Sequence, residues 1–218
     1  AGRGRALEWD GRTVEDHWVR ELEGAYAVVN LTGKHVNCRM TKANRAEIKR
    51  SRVDSVRVLG DALRKVYRVP KVWVQGASLA IYGDAGNRVC DEAAFITTEY
   101  PTDVCLSWEE ALGGAIRPEM RWSVLRIGFV LGADGGALPA LANLARIGFG
   151  GAIGRGSQWI SWRRRGWGRC VTVRSPPASV AAGGVYEGRY ALCQFQLNLD
   201  QTPSAQPSAC LLYTSDAA

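Results

Sequence analysis

No uninterrupted apolar stretch in this sequence approaches the ~20 residues that cross a bilayer, and the opening AGRGRALEWDGR holds no signal-peptide core. Those absences predict a protein with no membrane partner and, by default, a cytoplasmic location. Ligand-type residues are sparse too. The chain has two histidines and six cysteines, Cys38, Cys90, Cys105, Cys170, Cys193 and Cys210, none in a C-x-x-C pair and all irregularly spaced. That spacing argues against both a zinc site and a disulfide framework. His35 stands three residues before Cys38, but two isolated ligands make no site. Reduced, packing thiols and no metal are therefore expected. A long basic stripe with interleaved aromatics is also missing. The net charge is +7. From Ser161 onward, Arg163, Arg164, Arg165, Arg169, Arg174 and Arg189 face only Glu187, Asp200 and Asp216, so +3 of it sits in the tail. The rest reads as a solvated basic surface, and no nucleic-acid partner is expected.

What is present suffices for one domain with a real core: 218 residues, 46% apolar and 22% charged. The organising stretch is KVWVQGASLAIYGD at 71–84. Val72, Trp73 and Val74 read as a buried strand that breaks at Gly76, and Ser78 stands four residues before Tyr82. Open parallel sheets place ligands at such a carboxyl end when it carries small residues and a hydroxyl. Ser78 alone is equally a turn cap. A second apolar run, ending in Val28-Val29, is closed by Asn30, Leu31, Thr32 and Gly33. Thr41 then reads as a helix N-cap, with Val53, Val56, Leu59 and Leu63 on one face. A further helix starts near Thr102-Asp103, with Val104, Trp108, Ala111, Leu112 and Ala115 buried. Glu109 and Glu110, adjacent on it, point about 100° apart and are read as solvated. Trp122 to Ile127 forms the third strand. Strands alternating with helices in this order predict an α/β fold, a doubly wound parallel sheet.

These motifs together resemble the extended short-chain dehydrogenase/reductase proteins, and more narrowly the atypical branch of nucleoside-diphosphate-sugar epimerase-like, NAD-dependent epimerase/dehydratase proteins. Ser78 before Tyr82-Gly83 matches the serine that precedes Tyr-Gly. Asn30 to Gly33 resembles Asn-x-Ala-Gly, with Thr32 where alanine is usual. Arg126-x-Gly128-x-Val130-Leu131-Gly132 matches the loop beside the nicotinamide. Asn37-Cys38-Arg39 and residues 51–55 look like stretches of this branch, and Asp91-Glu92 resembles its Thr/Asp-Glu step. The likeness covers 6–162, roughly three quarters of the chain.

The resemblance implies a Rossmann-like NAD(P)-binding domain over 1–162 and an epimerase- or reductase-type reaction on a small molecule such as a nucleotide sugar. Ser78 and Tyr100 would be catalytic. Asn30, Thr32, Gly33, Ala77, Gly128, Phe129 and Val130 would line the NAD or NADP, and Tyr82 and Arg52 would meet the substrate. Arg52 is equally a member of a solvated helix face.

The sequence departs from the family in three places. Before Tyr26 there is no G-x-x-G-x-x-G turn, so the chain reads as a fragment lacking the first strand and glycine-rich loop. It is expected to leave a strand edge unpaired and to bind no dinucleotide by itself. After Trp162 the family's Trp-x-His-x-x-Asp is replaced by Arg163-Arg164-Arg165. The stretch 163–218 reads as an irregular, frameshifted or disordered tail whose end resembles translated transposon-adapter sequence. Four residues after Tyr100 stands Val104 where the Tyr-x-x-x-Lys dyad needs lysine, which opens the alternative of a non-catalytic dinucleotide-binding or regulatory module.

Overall fold

The computed structural model describes residues 6–131 and 137–150, together with short strands at 162–164, 172–174, 191–192 and 209–212. A short helix, α1 (Asp16–Val19), runs into a 3-10 turn (Arg20–Leu22) and leads to strand β1 (Ala27–Asn30). Helix α2 (Lys42–Leu63), strand β2 (Val72–Ser78), a 3-10 turn (Leu79–Tyr82), helix α3 (Thr102–Ala115) and strand β3 (Arg121–Ile127) follow in order. β1, β2 and β3 are parallel neighbours, with Ala27 opposite Val72 and Val72 opposite Arg121. Parallel pairing requires a long crossover between strands, and α2 and α3 supply the two crossovers.

The reason α2 begins where it does is local. Thr41 is extended, and its hydroxyl accepts the Asn44 N–H at 3.2 Å, satisfying one of the first-turn donors. Val53, Val56, Leu59 and Leu63 all point inward, as their spacing predicts. α3 starts at Thr102 as expected, with Pro101 at its N-cap position and no side-chain cap. The Thr102 hydroxyl is buried and donates instead to the Ala80 carbonyl at 3.3 Å.

Side chains alternate along a strand. In register, Trp73, Gln75 and Ala77 of β2 stand beside Trp122, Val124 and Arg126 of β3. On this face lies the main core, where Val28, Trp73, Ala77 and Val124 pack with Val56, Leu59 and Leu63 of α2 and Trp108 and Leu112 of α3. Ser78 belongs to the opposite set.

Beyond β3, strand β4 (Phe129–Leu131) pairs in parallel with β5 (Trp162–Arg164), and helix α4 (Ala137–Arg146) lies between them in sequence. Strands β6 (Thr172–Arg174) and β7 (Ala191–Leu192) extend the β3 side antiparallel. β8 (Ala209–Leu212) lies parallel to β1, giving the order β7-β6-β3-β2-β1-β8. The β1 edge expected to be unpaired is therefore covered by β8. β6, β7 and β8 fall within the stretch that the sequence marks as irregular; the rest of that stretch beyond Arg164 lies outside the described residues. Among the described residues, no helix is long and apolar enough to cross a membrane.

Candidate functional site

Asn30, Ser78 and Ile127 end three adjacent parallel strands, and the segments that follow them share one end of the sheet. Asn30 is fully buried. Its amide donates to Gln75 Oε1 at 3.1 Å and its Oδ1 accepts the Thr32 N–H at 3.0 Å, so the side chain shapes the turn that follows β1. Gln75, also fully buried, accepts a further bond from Trp73 Nε1 at 3.1 Å and donates to the Gly76 carbonyl at 2.9 Å. Buried amides of this kind are tolerated because they are bonded. The sequence expectation for Asn30 did not anticipate Gln75 as its partner, although a glutamine amid Val-Trp-Val and Gly-Ala is a visible signal.

Thr32 is buried too, so its hydroxyl is accommodated without disturbing the turn. Gly33 lies against Arg52: a Cβ there would stand 3.1 Å from the guanidinium carbon. Arg52 does not lie on a solvated face. It is half-buried, with Nη1 donating to the Ile48 and Lys34 carbonyls at 3.0 and 3.2 Å and the guanidinium 5.1 Å from the Trp108 ring centre. Burial pulls its pKa below the ordinary guanidinium value, and it remains the cation under this turn. It ties the turn to α2, leaving a smaller share of its donors for any anion.

At the end of β2, Ser78 is half-buried and its Oγ accepts the Ala80 N–H at 3.2 Å. The hydroxyl is thus a turn cap that keeps its own proton to donate; the two sequence readings of Ser78 are compatible. Ala77 is buried with its methyl in the main core, so only its backbone is at the strand end. Gly128 is half-buried after β3, and Phe129 and Val130 are half-exposed apolar side chains. Tyr100 is held elsewhere. Its hydroxyl donates to Met40 Sδ at 3.3 Å, and Arg45 lies over its ring at 4.5 Å. Among the described residues the Ser78 and Tyr100 hydroxyls share no hydrogen bond. Val104, in the dyad's lysine position, is buried in α3.

Tyr82 is buried, and its hydroxyl accepts from Arg126 Nη1 at 2.8 Å. Arg126 in turn forms a two-pronged pair with Glu109, Nε to Oε1 and Nη2 to Oε2, both at 2.8 Å. The reading of Glu109 as solvated is corrected here: its side chain is only 15% exposed, and that of Arg126 5%. Burial opposes the Arg126 charge, but the Glu109 carboxylate outweighs it and holds the guanidinium above its ordinary pKa. Burial raises the Tyr82 phenol, with the Arg126 bond offsetting part of that rise. Two cues in the sequence point to this pair. Arg126 alternates with Val124 and so faces inward. Glu109 lies four residues after Cys105 and three before Leu112, on the buried side of α3.

A separate groove of about 800 Å³ runs between the outer sides of α2 and α3, lined by Lys49, Arg50, Asp54, Arg57 and Glu110 among others. No strand-end residue lines it. Among the described residues, no three His, Cys, Asp or Glu side chains are grouped to hold a metal ion.

A parallel sheet with α crossovers and small or hydroxyl residues at its carboxyl ends defines a Rossmann-like α/β protein. No family model matches the chain. The chain is 34% identical over 152 residues to the chloroplastic epimerase family protein SDR39U1 homolog of Arabidopsis thaliana, covering 68% of this chain and 43% of that one. It is 30% identical over 159 residues to an epimerase family protein of Mycobacterium bovis, covering 72% and 51%. Among solved structures, human epimerase family protein SDR39U1 (isoform 2) with NADPH superposes at TM-score 0.60, with 30% identity over 66% of this chain and 50% of that one. The nucleoside-diphosphate sugar epimerase of Corynebacterium glutamicum superposes at 0.58, with 25% identity over 72% and 32%. This chain belongs to the atypical extended short-chain dehydrogenase/reductase family of epimerase-like proteins. It spans about half the length of the curated relatives it matches.

Proposed function

We propose that residues 1–162 are part of an NAD(P)-dependent epimerase- or reductase-like protein of the cytoplasm, acting on a small molecule such as a nucleotide sugar, with the family-like sequence ending at Trp162. The observation that carries this reading is the convergence of Asn30, Ser78 and the segment 128–130 at one end of three parallel strands. The residues fit the nicotinamide half of a dinucleotide. Phe129 and Val130 offer exposed apolar surface, Gly33 leaves backbone uncovered, and Ser78 retains a donor proton. They do not fit the pyrophosphate half, since no glycine-rich turn stands before Tyr26. The relative solved with NADPH supports this choice of cofactor.

When bound, the nicotinamide supplies hydride transfer. The chain's own part is to orient. Ser78 would donate its proton to a substrate carbonyl or hydroxyl oxygen, while Asn30 and Arg52 keep the β1 turn fixed. Val104 stands where the dyad needs lysine, and the Tyr100 hydroxyl is turned to Met40 Sδ with Arg45 over its ring. Val104 therefore favours a second reading, a non-catalytic dinucleotide-binding or regulatory module.

Turnover separates the two readings. A protein extended before Ala1 with a family-type strand, glycine-rich turn, helix and strand would be loaded with NADPH and challenged with nucleotide sugars and simple ketones. Ser78→Ala should slow cofactor oxidation about tenfold, the worth of one hydrogen bond of roughly 1.4 kcal/mol. An unchanged rate, or none in either protein, favours the module.

A further inference from the structure

We propose that Arg126, held by Glu109, is a positioning residue for Ser78, acting through the hydroxyl of Tyr82. The proposal rests on the reading of Ser78 as a substrate-facing hydroxyl. The 3-10 turn Leu79–Tyr82 is only four residues long, and a turn this short has little stability of its own. It is fastened at both ends. At the start, Ser78 Oγ accepts the Ala80 N–H, while Thr102 from α3 donates to the Ala80 carbonyl. At the finish, Tyr82 is fixed by Arg126 at 2.8 Å.

The geometry assigns the second fastening a specific purpose. Arg126 stands opposite Ala77 in the β2–β3 register, one residue before Ser78, but on the helix-covered face, whereas Ser78 belongs to the other set. Arg126 therefore cannot reach Ser78 across the sheet. It reaches the far end of the turn that Ser78 begins. Both oxygens of Glu109 occupy Nε and Nη2 of the guanidinium, which leaves Nη1 aimed at the Tyr82 oxygen. A planar fork held at two points permits little swing at the third. With Tyr82 fixed, the turn has one length and one path, and Ser78 Oγ is committed to the Ala80 N–H. Its remaining proton is then presented in one direction.

The decisive experiment is a double-mutant cycle read by hydrogen exchange on the full ¹⁵N-labelled chain. Tyr82→Phe keeps the ring in its pocket and removes only the hydroxyl; Ser78→Ala removes the cap. Each should speed exchange of the Ala80 amide about tenfold while the β2 amides of Val74 and Gln75 change less than about twofold. The double variant should be no faster than the faster single one, because both changes release the same turn. Arg126→Lys, which keeps the charge but loses the fork, should match Tyr82→Phe at Ala80. Multiplicative effects in the double variant would overturn the proposal, as would an Ala80 amide indifferent to Tyr82→Phe. So would equal acceleration of Val74 and Gln75, the mark of a merely structural pair. None of these readouts requires NADPH, so failure here and failure of the cofactor reading are distinct.

Discussion

Cys105 shows how placement, more than residue type, decides chemistry. It sits in α3 within a small cluster with Ile81 and Tyr82, 4% exposed. Burial, reinforced by the nearby Glu109 carboxylate, pushes its thiol up to about 11 from an ordinary 9.0. The neutral thiol is thus favoured in the folded chain. The folded state binds the proton more tightly than the unfolded state, so stability falls with rising pH between those two values. Cys105 should contribute its full stabilisation below about pH 9 and lose it as pH climbs through about 11. Mass spectrometry after brief alkylation at pH 8 should find the Cys105 peptide unmodified and that of half-buried Cys38 modified. Equal labelling would show that Cys105 is accessible. Of the cysteines expected to pack, Cys105 is buried and Cys38 and Cys90 are half-buried. The depth of Cys105 has one sign in the sequence, its place seven residues before Leu112 on one helical face.

At the scale of elements, helices α2 and α3 fix where the strands end, and their contact turns on Gly60. A Cβ at that position would stand 2.7 Å from the Ala115 Cβ and 2.8 Å from its Cα, closer than packed carbons allow. Gly60→Ala would ordinarily favour a helix by up to about 1 kcal/mol. Here overpacking by about 1–3 kcal/mol should outweigh it, so urea denaturation should show a net loss of stability. A gain would mean that the two helices sit further apart. The face containing Val53, Val56, Leu59 and Leu63 could be read from its periodicity, and Thr41 from cap chemistry. Gly60 could not, since sequence gives no sign of which glycine meets another helix. Arg52 could not be read either, and Glu109 only through its spacing to Leu112. Each is charged, and each is drawn inward by a partner that only the crossover brings near, the Trp108 ring for one and Arg126 for the other.

On the scale of the whole molecule, three parallel strands and two crossovers were legible because each strand is a short apolar run followed by a distinctive loop. Pairing beyond β1 and β3 was not legible. Strands of two to four residues carry almost no periodic signal, and β8 covers an edge that sequence alone left unpaired. Inward-facing polar residues such as Gln75 and Arg126 were visible in the strands, but the partners Asn30, Tyr82 and Glu109 were not, because they lie on different elements. The proposed role of this sheet end is to meet only the nicotinamide half of a dinucleotide. Affinity for the other half comes from a helix N-terminus reached through a glycine-rich turn, which the sequence before Tyr26 does not contain. A few bonds of about 1 kcal/mol each cannot offset the several kcal/mol that association costs. Calorimetry with NADPH on the 218-residue chain, beside the protein extended before Ala1 by a family-type strand, glycine-rich turn, helix and strand, measures this directly. No heat of binding is expected for the former at millimolar cofactor and clear binding for the latter; tight binding by the 218-residue chain alone would contradict the proposed role.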